Sequence, residues 1–122
     1  MVLKILLNGT KIIMENKISL IAEIGWNHMG NMQLAEKMIK SAKKSGADYC
    51  KFQTWKVKNL VKGSWDQDGR KQIYEKAELN DEKHYILKKI CKKNDIGFFT
   101  SVFNKNGNGG DVHCCYRWLT GF

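Results

Sequence analysis

No run of apolar residues in this chain approaches the ~18–20 needed to cross a membrane. The amino terminus, MVLKILLNGTK, holds no apolar run longer than three residues, such as Ile5 to Leu7. A signal peptide needs an apolar core of about 7–15 residues, so the expectation is a cytoplasmic chain that is not secreted. Negative charge is scarce: 12 Asp+Glu stand against 21 Lys+Arg, a formal net charge of +9. That balance favours anionic partners, whether phosphates, acidic metabolites or nucleic acid, without choosing among them. Many of the lysines fall at helical spacing, so the plainer explanation is a solvated helix face. Cysteine is sparse, with Cys50, Cys91, Cys114 and Cys115 only. Without a secretory signal these read as reduced thiols, not as a disulfide framework. Adjacent Cys114 and Cys115 beside His113 lack the two-to-four-residue spacing of paired zinc ligands, and no metal site is expected there.

What is present is an ordinary globular composition, 43% hydrophobic and 27% charged over 122 residues, enough for one domain at most. Val2 to Leu7 is apolar-rich, Asn8-Gly9 is a favoured two-residue turn, and Lys11 to Met14 returns, so the first segment reads as a hairpin. Either Met1 or Met14 can serve as the start; with Met14 the hairpin would be a gene-calling artefact. Ser19 to Ile24 is a short apolar run bounded by Gly25 and reads as a buried strand. Asn31 then caps a helix over Met32 to Ser45. Its stripe is Leu34, Ala35, Met38, Ile39 and Ala42, and Gly46 is its left-handed stop. Ala47 to Thr54 is the next strand, with Tyr49, Lys51 and Gln53 on one face and Cys50 and Phe52 on the other.

Trp55 to Leu79 is a long polar excursion with a short helix near Gln72 to Lys76. Excursions of that length in a compact domain are usually functional or mobile. A second long helix runs from Asp81 to Lys93 with Ile86, Leu87, Ile90 and Cys91 inward, ended by Asn94 or Asp95, and Gly97 to Phe103 is a third strand. Helices between the three strands make them parallel, because such crossovers are right-handed βαβ units. Parallel sheets bury both faces, so three strands and two helices look like part of something larger.

The three strands end in polar groups that a structural strand does not need: Glu23, then Lys51 with Gln53, then Thr100 with Ser101. In parallel α/β folds the ligand site lies at the carboxyl ends of the strands. An inward lysine is costly unless it meets an anion. A phosphate or carboxylate ligand would satisfy Lys51, and hydroxyls of the neighbouring strand could donate to the same oxygens. The plain alternative is a salt bridge between Lys51 and Glu23. His28, in the first strand-to-helix loop, reads as a histidine that holds backbone, and Asn27 could cap or bridge the same loop.

These residues carry a resemblance. IAEIGWNHMGN (Ile21 to Asn31), then LAEKMIKSAKKSGADYCKFQT (Leu34 to Thr54), ELNDEKH (Glu78 to His84) and FFTSVF resemble the start of the sialic acid synthases. That family comprises the N-acetylneuraminate, legionaminate and pseudaminate synthases, and the likeness spans about Ile21 to Lys105. The leading hairpin resembles the one that closes the bottom of the family's barrel. The resemblance implies a TIM (β/α)8 barrel, of which this chain is the N-terminal portion: about three β/α units plus the hairpin. A whole barrel needs about 250 residues.

The resemblance also implies the chemistry: phosphoenolpyruvate is condensed with an N-acyl amino sugar and phosphate is released. A divalent metal, Mn²⁺ or Mg²⁺, polarises the sugar aldehyde, and its histidine ligands lie beyond this chain. Lys51 matches the family lysine that holds phosphoenolpyruvate. Ser101 aligns with a threonine in a similar role, and Glu23 and Gln53 match positions that contact the sugar. Glu23 and Lys51 are the catalytic candidates. Val102 stands where proline is frequent, Trp26 and Met29 are less usual, and the family's sugar-contacting asparagine of the long loop has no clear counterpart. Family members often dimerise.

After Lys105 the likeness stops. Residues 106–122, NGNGGDVHCCYRWLTGF, form no helix stripe. Suitable codons for this tail, read one base later, can encode MVMEEMFIAATGGLQV, an amphipathic segment like the family's next helix. The expectation is a synthase fragment over residues 1–105 followed by a frameshifted tail, inactive alone. Two rival readings are a small basic nucleic-acid-binding module, which has only the charge in its favour and no recognition motif, and a related synthase of 2-keto-3-deoxy sugar acids.

Overall fold

The computed structural model describes residues 2–7, 10–15, 18–105 and 112–118, with side chains for residues 18–103. Strands β1 (Val2–Leu7) and β2 (Thr10–Glu15) pair antiparallel in register Leu7 to Thr10, as an isolated two-stranded sheet. The Asn8-Gly9 turn lies outside the described residues. A second sheet has the order β3-β4-β5-β6, from β3 (Ile21–Gly25), β4 (Tyr49–Trp55), β5 (Gly97–Lys105) and β6 (Val112–Trp118). The first three strands are parallel, as the βαβ order requires, and β6 joins β5 antiparallel. The backbone of β6 adds a strand where the sequence offered no pattern. The reading of His113, Cys114 and Cys115 as metal-free falls outside the residues whose side chains are described.

Helix α1 (Met32–Lys44) links β3 to β4. Asn31 starts it, its side chain accepting from the Leu34 amide at 3.0 Å, and Gly46 at φ 88° ends it. Ala35 and Ile39 are the buried part of its stripe, while Leu34 stays exposed. Beyond β4 the chain makes two 3-10 turns, then α2 (Arg70–Ala77). Helix α3 (Asp81–Lys93) follows, capped by Asn80, which accepts from the Lys83 amide at 2.8 Å.

Helices α1 and α3 pack together on one face of the sheet. The core between them and the strands holds Ile24, Ile39, Cys50, Phe52, Leu79, Leu87, Cys91 and Ile96. Cys50 and Cys91 are free thiols, as expected for reduced cysteines. Lys43 at the end of α1 pairs with Asp95, just past α3. Among the described residues no helix is long and apolar enough to cross a membrane.

Candidate active site

Alternation along β4 sorts its side chains as the pattern requires. Cys50, Phe52 and Thr54 are buried on the helix side, and Tyr49, Lys51 and Gln53 line the opposite face. Register then sets their neighbours. Glu23 of β3 lies beside Lys51, and Ser101 of β5 lies beside Gln53. All four candidate residues therefore meet toward the carboxyl ends of β3–β5. Lys51 Nζ sits 2.6 Å from Glu23 Oε2, the ion pair that the sequence offered as the plain alternative.

The register shifts between Glu23 and Gly25. Gly25 has φ 59°, a left-handed conformation that favours glycine. A Cβ there would stand 3.6 Å from both Glu23 Oε1 and Gln53 Cδ. That is ordinary contact, so the positive φ and not lack of space is what favours glycine here, and the carboxylate and the carboxamide both lie beside this strand end.

Ser101 is 1% exposed, and its Oγ has no hydrogen-bond partner among the described residues. Buried hydroxyls are ordinarily satisfied, so an unspent donor at this place is a chemical signal. Its neighbour Thr100 does not join the site. Thr100 Oγ1 meets Thr54 Oγ1 at 2.7 Å on the helix side, and Thr54 Oγ1 lies 2.7 Å from His84 Nε2. The His84 Nδ1 is 2.8 Å from the Asn80 carbonyl, which can only accept. Nδ1 therefore carries the proton, and Nε2 accepts from Thr54. Burial lowers the His84 pKa, consistent with that neutral ring.

His28 is fully buried in the loop after β3. Its Nδ1 accepts from the Gly30 amide at 3.0 Å, the backbone-holding role read from sequence. Burial, with the Lys83 ammonium second, pushes its pKa down to about 4.

Sequence reasoning missed a ring cluster at the edge of the site. Trp55 lies two residues beyond Gln53 on β4, and its ring centroid stands 6.0 Å from Trp26 and 5.7 Å from Tyr74. The signal was available, since Lys51, Gln53 and Trp55 share one alternation. Its partners come from the loop after β3 and from α2, which no local pattern connects.

Comparison with known proteins bears on this arrangement. The sequence profile of the NeuB family matches residues 38–108. The N,N'-diacetyllegionaminic acid synthase of Legionella pneumophila is 34% identical over 97 residues, which is 70% of this chain and 27% of that protein. The pseudaminic acid synthase of Campylobacter jejuni is 34% identical over 102 residues, 75% of this chain and 30% of that protein. The chain thus spans less than a third of these relatives. The crystal structure of the N-acetylneuraminic acid (sialic acid) synthetase from Leptospira borgpetersenii, a citrate complex, superposes with a TM-score of 0.62 at 28% identity. The match covers 84% of this chain and 35% of that one.

Proposed function

The chain belongs to the NeuB family, and from that premise we propose that it is the N-terminal part of a synthase that joins phosphoenolpyruvate to an N-acyl amino sugar. Residues 1–105 supply the leading hairpin and the first β/α units of a (β/α)8 barrel, and the tail over residues 106–122, of which the family profile reaches only residue 108, is foreign to it. The single observation that carries the reading is the grouping of Glu23, Lys51, Gln53 and the unspent Ser101 hydroxyl at the carboxyl ends of three parallel strands.

In this reading Lys51 holds an anionic group of phosphoenolpyruvate, and Ser101 donates its hydroxyl to the same ligand. Lys51 then exchanges the Glu23 carboxylate for the incoming anion, and Glu23 turns to accept from a sugar hydroxyl. Gln53 orients the sugar. Carbon 3 of phosphoenolpyruvate forms the new bond to the aldehyde carbon. Water adds at carbon 2, and phosphate leaves with its bridging oxygen as that C–O bond breaks. A divalent metal would act on the aldehyde as a Lewis acid. Among the described residues no three His, Cys, Asp or Glu side chains stand close enough to hold one. The residues here do not fit that ion, and no step is routed through it.

The test is a full-length barrel that carries residues 18–105 of this chain, completed with the remaining strands of a relative. A charge-assisted contact contributes about 1.5–3 kcal/mol. Lys51→Ala should therefore raise the KM for phosphoenolpyruvate at least ~10-fold, at about 1.4 kcal/mol per decade. Glu23→Gln should impair sugar use more than phosphoenolpyruvate use. An unchanged phosphoenolpyruvate KM in Lys51→Ala would overturn the assignment. The 122-residue chain alone should release no phosphate in the presence of Mn²⁺, and turnover by it would contradict the fragment reading.

A further inference from the structure

The excursion between β4 and α3 is long enough to be a mobile lid, yet its two ends are fastened to each other. Glu78, the residue after α2, reaches back to where the chain leaves β4. Its Oε2 accepts from the Val57 amide at 2.9 Å, and its Oε1 lies 3.3 Å from Lys56 Nζ. Its carbonyl accepts from the ammonium of Lys83, in the first turn of α3, at 3.0 Å. One residue thus meets the start of the excursion with its side chain and the next helix with its backbone.

The turn just before Glu78 is held by the loop after β3 and by the end of β4. The Trp55 indole N–H donates to the Tyr74 carbonyl at 3.1 Å, and the Tyr74 ring meets Trp26 edge to face at 5.6 Å. Gly30 lies so close to the Lys76 carbonyl that a Cβ there would run into the oxygen. Tyr74 to Glu78 therefore carries ties to both loops. Trp55 follows Gln53 closely on β4, and Trp26 follows Glu23 closely after β3. The backbone that presents these two candidate site residues is thus continuous with the backbone that this short segment holds.

Surroundings decide which Glu78 contact does the holding. The Lys56 and Glu78 side chains are 39% and 27% exposed, and ion pairs so open to water contribute little. The Val57 amide is partly buried, and its acceptor is a charged oxygen. Hydrogen bonds to charged groups are the stronger ones, and a buried amide left without a partner is destabilising. We propose that Glu78 is a positioning residue. It clasps the excursion at its base through the Val57 amide, and so keeps Tyr74 and the loops that leave β3 and β4 in the arrangement that the candidate site needs. The clasp goes beyond the synthase reading, and only its effect on turnover rests on that reading.

Amide hydrogen exchange on the 122-residue chain reads the clasp without any substrate. Glu78→Ala should speed exchange at Val57 at least about tenfold, as loss of a charge-assisted hydrogen bond requires. Glu78→Gln, which keeps an acceptor, should stay within about fivefold of the unaltered chain, and so should Lys56→Ala. The amides of Ile39 in α1 and Leu87 in α3 report global opening and should keep their rates in all three variants. Unchanged Val57 exchange in Glu78→Ala would overturn the clasp, as would an equal loss in Lys56→Ala. So would matching acceleration at Ile39 and Leu87 in Glu78→Ala and Glu78→Gln alike. In the completed barrel described above, Glu78→Ala should lower kcat/KM at least about tenfold, and Glu78→Gln should restore most of it. Faster Val57 exchange with unaltered turnover would overturn the positioning role. A completed barrel whose phosphoenolpyruvate use ignores Lys51 would instead overturn the synthase reading, and the exchange rates would still decide the clasp.

Discussion

At Lys51 the proposed ligand anion would have to displace a carboxylate from the ammonium. The Glu23 carboxylate holds it in this structure, with side chains 21% and 46% exposed. Pairs so open to water contribute about 0–1 kcal/mol, so surrendering Glu23 to a more highly charged ligand costs little. His28 offers a test by pH. Its folded pKa of about 4 lies below the ~6.5 of an unfolded histidine. The unfolded chain therefore binds the proton first, and stability rises with pH across that window. The His28 contribution should be complete above pH 6.5, fall between 6.5 and about 4, and stay lost below. Urea midpoints of the chain and of His28→Asn, compared at pH 7.5, 5.5 and 4.5, check this. A gap between them that does not narrow on acidification would contradict it. At this scale the sequence was legible where the chemistry was local. Glu23, Lys51 and Gln53 stood at strand ends and were read as a group. The Thr54–His84 contact was not, because it joins residues thirty apart through a helix placement that no short window contains.

The strands and helices were legible because each carries its own punctuation. Asn31 and Gly46 bracket α1, and Asp81–Lys93 is the helix that its apolar spacing requires. The excursion after β4 was legible only in part. Its short helix runs further at both ends, over Arg70–Ala77, because Asp68 receives the Arg70 side chain at its start. One strand contact makes a sharp prediction. A Cβ on Gly97 would stand 2.1 Å from the Tyr49 ring, since those residues are paired across β4 and β5. That ring also packs edge to face on Phe99, at 6.1 Å. Gly97→Ala should therefore force the ring aside and destabilise the chain by about 1–3 kcal/mol, the usual cost of overpacking. Thermal melts of the two proteins would show it, and an unchanged Tm would mean that Tyr49 moves at no cost.

For the whole molecule, the decisive feature is an edge. Among the described residues strand β3 pairs on one side only, with β4. Along and just before it Ile18 is 91% exposed, Leu20 54% and Ile21 47%. Apolar strand edges template association with other chains. The chain should associate with rising concentration in analytical ultracentrifugation, and Ile18→Lys with Leu20→Lys should shift it toward monomer. A monomer at every concentration would contradict this. Parallel order was legible from the β–α alternation, whereas the direction of β6 was not, because its seven residues carry no pattern that prefers a neighbour. That direction has a topological consequence. β6 runs against β5, so its last residue returns to the amino ends of β3–β5, away from the candidate site. The edge of β5 is meanwhile saturated over Phe99 to Lys105. A parallel strand arriving from a separate polypeptide would meet an incumbent along β5 and pair there only by evicting it.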